Sequence, residues 1–127
     1  MAGTIVADTI QDGAGNSTSM DNAIYGSAKA WVSGSTGTTI QASYNVSSIT
    51  ANGTGDYTIN FTNAFADNKY CPVFGALRQQ DGASFASVGV YNPSNNNSYM
   101  TTTSLRIVIQ TYTGSNISAI PYVAIFR

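Results

Sequence analysis

The sequence contains no histidine, and its six acidic residues are all aspartates, so glutamate is absent as well. Histidine is the commonest general base and metal ligand, and glutamate is one of only two carboxylate side chains. A hydrolytic triad or a zinc centre therefore cannot be assembled from this chain. The aspartates stand mostly beside glycine, asparagine or alanine, which is typical of turns. We predict a protein that is not an enzyme. Two aspartates paired across a subunit boundary to cleave a glycan are kept as an alternative.

Charged residues are scarce, at 9% of the chain where an ordinary soluble domain has about 25%. The formal net charge is −1, and the five cations are scattered along the chain at Lys29, Lys69, Arg78, Arg106 and Arg127. No basic patch is present that would hold the phosphates of a nucleic acid. The exterior is therefore either coated with neutral polar residues or covered by partner molecules, because permanent interfaces are poor in charge.

Cysteine occurs once, and no segment is long and apolar enough to cross a bilayer. A single cysteine excludes an intrachain disulfide, and the neighbours of Cys71 predict a small, buried strand residue in a reducing compartment. The first twelve residues hold neither a basic stretch nor a long apolar run, so we expect no secretory signal and no membrane insertion. The run from Asp12 to Asn16 lacks the alternating oxygen ligands and bidentate glutamate of a calcium loop. No metal or cofactor is predicted.

The chain of 127 residues has the size of one domain, and its eight tyrosines and five phenylalanines supply aromatic material for a core. Residues 1–27 are rich in glycine, asparagine and serine around one strand-like run at 4–10, so we predict an extended N-terminal anchoring arm. Residues 28–127 show one strand pattern after another with turn residues between. This predicts an all-β head, an antiparallel β-sandwich or jelly-roll-like domain. Trp31, between apolar neighbours, is predicted to lie in the core or at a subunit interface.

The clearest local unit is a hairpin. Tyr57, Ile59 and Phe61 alternate with polar residues after a turn that contains Asn52-Gly53 and Gly55, which predicts two strands with one buried face. Residues 117–126 are apolar on both faces, so this strand is either central in a sandwich or buried against another subunit. Further strands are predicted at residues 29–33, 38–44, 70–77, 84–91 and 99–112.

One polar loop, residues 92–98, is the most turn-like segment of the chain, and a tyrosine flanks it on each side. Exposed tyrosine beside asparagine and serine is the chemistry that adhesive loops favour. The candidates for receptor contact are therefore Tyr91, Asn95, Asn96, Asn97 and Tyr99, with residues 79–81 as a second group. In the alternative interpretation the tyrosines only close the ends of paired strands, and any adhesive surface lies in grooves between subunits.

Three segments carry a resemblance to a known family: residues 26–32 (Gly-Ser-Ala-Lys-Ala-Trp-Val), residues 42–50 (Ala-Ser-Tyr-Asn-Val-Ser-Ser-Ile-Thr) and residues 52–62 (Asn-Gly-Thr-Gly-Asp-Tyr-Thr-Ile-Asn-Phe-Thr). They resemble a module found in bacteriophage and prophage virion proteins, many of them of the tail-fibre or fibre-like type. Asp-Thr-Ile-Gln at 8–11 with Gly-Asn at 15–16 also resembles the N-terminal segments of marine-phage fibre proteins. The resemblance covers residues 4–62. It departs from the family pattern at residues 33–37, where an Asn-Phe-Asn-Gly-Thr-Gly-like stretch is usual and this chain is shorter and lacks the aromatic residue.

The resemblance implies a virion structural protein, a homotrimer with an N-terminal anchor and a β-rich head, and it supplies no catalytic residues. We expect a short fibre or knob component that mediates attachment to a glycan or protein of the host surface. The alternative is a capsid decoration or vertex protein, or a tail structural protein, with a mechanical role and no receptor binding. A free lectin-like protein outside the virion fits the β fold but leaves the anchor-like start unexplained.

The arm has its own candidate residues. Thr4, Ile5, Val6 and Ile10 are expected to anchor the protein by strand addition, with side chains in pockets of a neighbouring subunit or another virion protein.

Overall fold

The computed structural model describes residues 3, 6–35, 38–77, 86–92, 99–111 and 113–127, and within them the regular secondary structure is almost entirely β strand. One short helix, α1, interrupts the series. The elements in chain order are β1 (Thr9–Gln11), β2 (Ser17–Ser19), α1 (Met20–Gly26), β3 (Ala28–Gly34), β4 (Ile40–Tyr44), β5 (Val46–Gly53), β6 (Asp56–Phe61), β7 (Cys71–Leu77), β8 (Ala86–Val90), β9 (Ser104–Thr111) and β10 (Ile120–Phe126).

Eight of these strands form a sandwich of two four-stranded sheets, and all of their pairings are antiparallel. The first sheet has the strand order β4-β3-β10-β7 and the second has the order β5-β6-β9-β8. The last four strands form two nested antiparallel pairs, one in each sheet. Strand β7 pairs with β10 in the first sheet, and β8 pairs with β9 in the second. The predicted all-β sandwich is confirmed.

The core lies between the two sheets and follows from the period-two pattern of the strands. Ile59, Leu105, Ile107 and Ile109 of the second sheet are fully buried, with the buried residues of β3 and β10 opposite them. Alternate residues of each strand point to opposite faces, so the neighbours of these core residues point outward. The predicted β5–β6 hairpin is confirmed, with Ile49 paired to Ile59 in its centre.

A single residue carries the chain from the first sheet to the second. Asn45 stands between β4 and β5 with a positive φ of 54°, a conformation that asparagine tolerates better than most residues. Its side-chain amide donates to the carbonyl oxygens of Lys29 (3.3 Å) and Asn63 (3.2 Å), and its Oδ1 accepts from the Asn63 N–H at 2.8 Å. Asn45 therefore fixes the corner between the sheets and ties it to β3 and to the segment after β6.

The open end of the core beside this segment is closed by aromatic rings. Phe61 contacts the rings of Phe65 and Tyr70 edge to face, with centroids 4.8 and 5.9 Å apart. The Tyr70 hydroxyl lies 3.1 Å from the Thr101 carbonyl oxygen and 3.2 Å from that of Ser104, and donates its proton there. Burial raises the pKa of Tyr70 to about 12, so this hydroxyl stays a donor at any physiological pH.

The N-terminal region has more local structure than the sequence indicated. Of the strand-like run at 4–10, the described residues 6–8 are not in a strand, and Thr9 begins β1, which pairs with β2 in a small hairpin. The Asp12 carboxylate shapes its turn by accepting the N–H groups of Ala14 and Asn16, each at 2.9 Å. Helix α1 follows, although no helical period was visible, because a seven-residue helix is too short to show one.

Two expectations about single side chains are corrected. Cys71 is exposed, because it points to the outer face of the edge strand β7 rather than into the core. Trp31 is 39% exposed and so is not a core residue of this chain. The neighbours Ala30 and Val32 fill the core instead, since the strand alternates. The interface alternative for Trp31 stays a prediction.

Candidate binding surface

The outer face of the second sheet is polar and held by side-chain hydrogen bonds. Asn60 donates through its side-chain amide to the hydroxyls of Ser48 (2.9 Å) and Thr50 (3.0 Å) on β5. The amide of Asn52 donates to the Thr58 hydroxyl at 2.9 Å. These bonds run between directly paired or diagonal positions of an antiparallel sheet, where side chains on one face are neighbours. The result is a neutral, pre-ordered surface.

An ion pair lies on this face. Arg106 on β9 donates from Nε to Oδ1 of Asp56 (2.8 Å) and from its guanidinium Nη2 to Oδ2 (2.6 Å). The Asn52 amide donates to the same carboxylate at 3.1 Å. The Arg106 hydrogen bonds hold the pKa of Asp56 below its ordinary value, and the same contact raises the pKa of Arg106. Both groups therefore stay charged, and the two-point contact fixes the plane of the guanidinium.

Two tyrosine rings pack around this guanidinium. Tyr91 and Tyr99 meet edge to face, with ring centroids 4.9 Å apart. The guanidinium carbon of Arg106 lies 4.1 Å from the centroid of the Tyr91 ring and 5.3 Å from that of Tyr99, within the range of a cation–π contact. The backbone reinforces the arrangement, because the Tyr91 N–H donates to the Arg106 carbonyl and the Arg106 N–H donates to the Tyr99 carbonyl, both at 2.9 Å.

A shallow depression adjoins Tyr91. Its volume is about 440 Å³, and its lining is Val90, Tyr91, Asn92, Val108, Gln110 and Asn116. Gly89 is paired with Val108 and so faces the same way, and a side chain at this glycine would meet no atom within 4 Å. The Gln110 amide donates to Oδ1 of Asn116 at 2.9 Å. The lining of the depression thus combines an aromatic ring, valine side chains and amide groups, which are the groups that small polar ligands need.

The predicted receptor-contact residues divide into two groups. Tyr91 and Tyr99 are brought into direct contact, although seven residues separate them in the chain. Asn95, Asn96 and Asn97 lie outside the described residues, as do residues 79–81.

Asp56 and Arg106 were not singled out by the sequence. A lone arginine on the polar face of a β strand is a signal for a charged partner, but it lies fifty positions after Asp56 in the chain, and no local pattern joins them.

The anchoring candidates lie at the other end of the chain. Val6 is 92% exposed and precedes the first strand. Ile10 is 47% exposed and its backbone is paired with Thr18 in the β1–β2 hairpin. Thr4 and Ile5 lie outside the described residues. The side chains of Val6 and Ile10 therefore lie outside the core and are accessible to a partner.

Aspartates other than Asp56 are also engaged in structural contacts. Asp67 pairs with Arg127 (Oδ2 to Nη2, 2.6 Å), and this contact lowers the pKa of the Asp67 carboxyl. Hydrogen bonds from Asn16 lower the pKa of Asp12 in the β1–β2 turn. In the part of the chain that the structure describes, no three side chains of the metal-ligating types lie together. Within the same part, no helix is long and apolar enough to cross a membrane.

Comparisons with known proteins return no match to a family model, to a curated protein or to a solved structure.

Proposed function

We propose that this chain is a non-enzymatic binding protein of the β-sandwich class. More specifically, we propose a structural component of a phage virion, a short fibre or knob that mediates attachment to the host surface and acts as a homotrimer. Its partners are other virion proteins through residues 1–27, and a glycan or protein of the host through the head. It binds no nucleic acid and does not insert into membranes.

The observation that carries the attachment role is the tyrosine pair at the edge of a neutral polar face. Tyr91 and Tyr99 are held by Arg106, and Arg106 is held by Asp56, so the rings are pre-ordered. A pre-ordered aromatic group loses little conformational entropy when a ligand stacks on it. The surrounding hydroxyls and amides supply neutral hydrogen bonds, which suits a surface that cannot rely on charge steering.

The remaining support comes from the sequence resemblance over residues 4–62, which includes strands β3 to β6. The described aspartate carboxylates at positions 12, 56 and 67 have structural partners, which favours a binding role over acid–base chemistry.

A capsid decoration, vertex or tail structural protein without receptor binding is the second candidate. The specific observation in its favour is that Arg106 covers one face of the Tyr91 ring and Tyr99 meets it edge to face. In this candidate function the two tyrosine rings close the ends of paired strands and contact no receptor, which is the alternative interpretation of the sequence.

The test combines location with competition. The protein is located in a cryo-EM map of the intact particle, and the purified protein is added to host cells before particles are applied. A fibre or knob lies at an outward-facing tip, and its soluble form lowers particle adsorption. A location in the capsid shell or tail tube, with unchanged adsorption, supports the structural candidate. Absence from purified particles contradicts both.

A further inference from the structure

The outer face of the first sheet is apolar across its full width. Tyr44, Trp31, Ala124 and Val73 are directly paired from strand to strand, so they form one row across β4, β3, β10 and β7. Three of the four are large and well exposed, with 58% of Tyr44, 39% of Trp31 and 53% of Val73 open to solvent. A row of this kind continues through all four strands and is not a scatter of single apolar residues.

The neighbouring rows are also uncharged. Ser33, Tyr122 and Gly75 form the next row with Ala42, and Phe126 pairs with the exposed Cys71 on the other side. Among the described residues that face outward on these four strands, the one charged side chain is Lys29, at the margin. Its ammonium group donates to the carbonyl oxygen of Ile24 and to the Ser27 hydroxyl, so its charge is turned toward α1.

The two outer faces of the sandwich therefore differ in kind. The second sheet satisfies its outward polar groups with one another and carries the Asp56–Arg106 pair. The outer face of the first sheet presents mostly rings and aliphatic side chains, and its hydrogen-bonding groups are the hydroxyls of its tyrosines and of Ser33 and the indole N–H of Trp31. Burying such a surface is favourable because each Å² of apolar area removed from water contributes about 25 cal/mol of free energy.

The size of the face matches what a specific protein contact needs. Four strands spaced about 4.8 Å apart and seven residues at about 3.3 Å each give a footprint of about 19 by 23 Å. If each face is treated as flat, two such faces in contact cover about 900 Å². Side chains that protrude from the sheet add to the accessible surface, so the buried area exceeds the ~1,000 Å² that is typical of a specific interface.

We propose that a second copy of this chain covers this face, so that the outer face of the β4-β3-β10-β7 sheet is the subunit interface of the oligomer. The cores of interfaces are poor in charged residues on both sides, so an uncharged face is complementary to another uncharged face. A second copy of this chain supplies such a face. A trimer satisfies the arrangement when each face meets its neighbours around the three-fold axis. Self-association of the purified chain does not depend on whether the protein belongs to a virion.

The chain carries its own probes of this interface. Trp31 is the single tryptophan and Cys71 the single cysteine, and both lie on the proposed interface. Assembly moves Trp31 into an apolar environment and covers Cys71. Diluting the wild-type protein is therefore expected to shift tryptophan emission to longer wavelength and to speed the labelling of Cys71 by a thiol reagent, in step with the loss of oligomer mass in light scattering.

The variant Val73→Lys places a cation on the edge strand β7, in the apolar row that includes Trp31 and Ala124. Because the ammonium group has no partner there, we expect the dissociation constant of the oligomer to rise by at least about 100-fold. The matched control is Ser87→Lys, which adds the same charge at an exposed position of the edge strand β8, on the outer face of the other sheet. Val73→Thr, of similar volume and strand preference, is expected to have an intermediate effect. Circular dichroism confirms the strand content of each variant.

Loss of oligomer in Val73→Lys but not in Ser87→Lys supports the proposed interface. Equal oligomer mass in both variants overturns it, as does wild-type protein that remains a single chain at high concentration. If Val73→Lys fails to fold, the wild-type dilution series decides: tryptophan emission and Cys71 labelling that stay constant while the oligomer dissociates contradict the proposal.

Discussion

Arg106 reaches Asp56 across two neighbouring strands and binds both of its carboxylate oxygens, at 2.8 and 2.6 Å. The side chains of Asp56 and Arg106 are 12% and 29% exposed, so solvent screens the pair less than a surface ion pair. The pair also holds the guanidinium against the Tyr91 ring. It is therefore a link between the β5–β6 hairpin and the tyrosines beyond β8.

The first prediction concerns this pair. Asp56→Asn removes the charge and is expected to cost about 1–2 kcal/mol of unfolding free energy at pH 7, measured by urea denaturation at fixed protein concentration. Because the folded pKa of Asp56 lies below the unfolded value of 3.8, its contribution is complete above that value and is lost as the pH falls through the folded pKa. The difference between wild type and Asp56→Asn should therefore disappear at strongly acidic pH.

Asp67→Asn, which removes the exposed partner of Arg127, is the control and is expected to cost less. A stability difference for Asp56→Asn that does not change with pH would show that the charge of Asp56 is not the stabilising element.

The second prediction concerns the turn of the β5–β6 hairpin. Gly55 has a φ of +67°, and a Cβ there would lie 2.6 Å from the carbonyl oxygens of both Ile109 and Ile117. Gly55→Ala must therefore move backbone as well as adopt a left-handed conformation, and we expect a loss of about 3 kcal/mol or more. Gly53→Ala, two residues earlier and in open space, should change the urea midpoint little. Equal midpoints for the two variants would contradict the close approach.

The third prediction separates the two roles of Asn45. Asn45→Gly keeps the positive φ accessible but removes the amide contacts to Lys29 and Asn63. Asn45→Ala removes the same contacts and also makes the positive φ unfavourable. We expect alanine to be less stable than glycine by about 1 kcal/mol, and both to be less stable than wild type, by urea denaturation. If alanine and glycine are equally stable, the left-handed conformation is not what selects asparagine at this corner.

The fourth prediction tests receptor contact. Particles carrying Tyr91→Ala with Tyr99→Ala, and separately alanine at residues 95–97, should adsorb more weakly to host cells. The double tyrosine variant also loses the edge contact and the cation–π contact, so its melting temperature should fall modestly, by the equivalent of about 1–3 kcal/mol. Phenylalanine at both positions keeps the rings and serves as control.

Correctly assembled alanine particles that adsorb at the wild-type rate would favour the structural, non-adhesive role. A loss of adsorption in the phenylalanine variant as well would assign the contact to the hydroxyls rather than to stacking.

The fifth prediction concerns the N-terminal arm. The buried hydrophobic residues of the described core begin at Ala30, so deleting residues 1–22 should leave the head folded with nearly unchanged strand content. The truncated protein should fail to join particles, because the exposed Val6 and Ile10 are lost. The point variant Ile10→Asp should reduce incorporation, while Ile10→Val retains it. Normal incorporation of the truncated protein would place the anchor elsewhere in the chain.

Strand identity followed from local patterns, which is why it could be predicted. The alternation of Tyr57, Ile59 and Phe61 with polar residues depends only on the period of an extended backbone, and the structure buries all three. The near absence of helix and the sandwich class followed from repeating this pattern after residue 28. Tyr91 and Tyr99 could be named as candidates because tyrosines that flank an asparagine-rich loop are recognisable in the sequence, although the structure leaves both half-buried.

Tertiary structure decided which apolar face became the core and which partners each polar group found. Strand β10 is apolar on both sides, and only the packing of its sheet against the other sheet directs Val123 and Ile125 inward and leaves Ala124 in the outer row with Trp31. The pairing of Asp56 with Arg106, and of Arg106 with Tyr91, joins segments far apart in the chain. Sequence periodicity fixes the side of a strand to which a residue points, but strand order and register, which arise from the collective packing of two sheets, determine what it meets there.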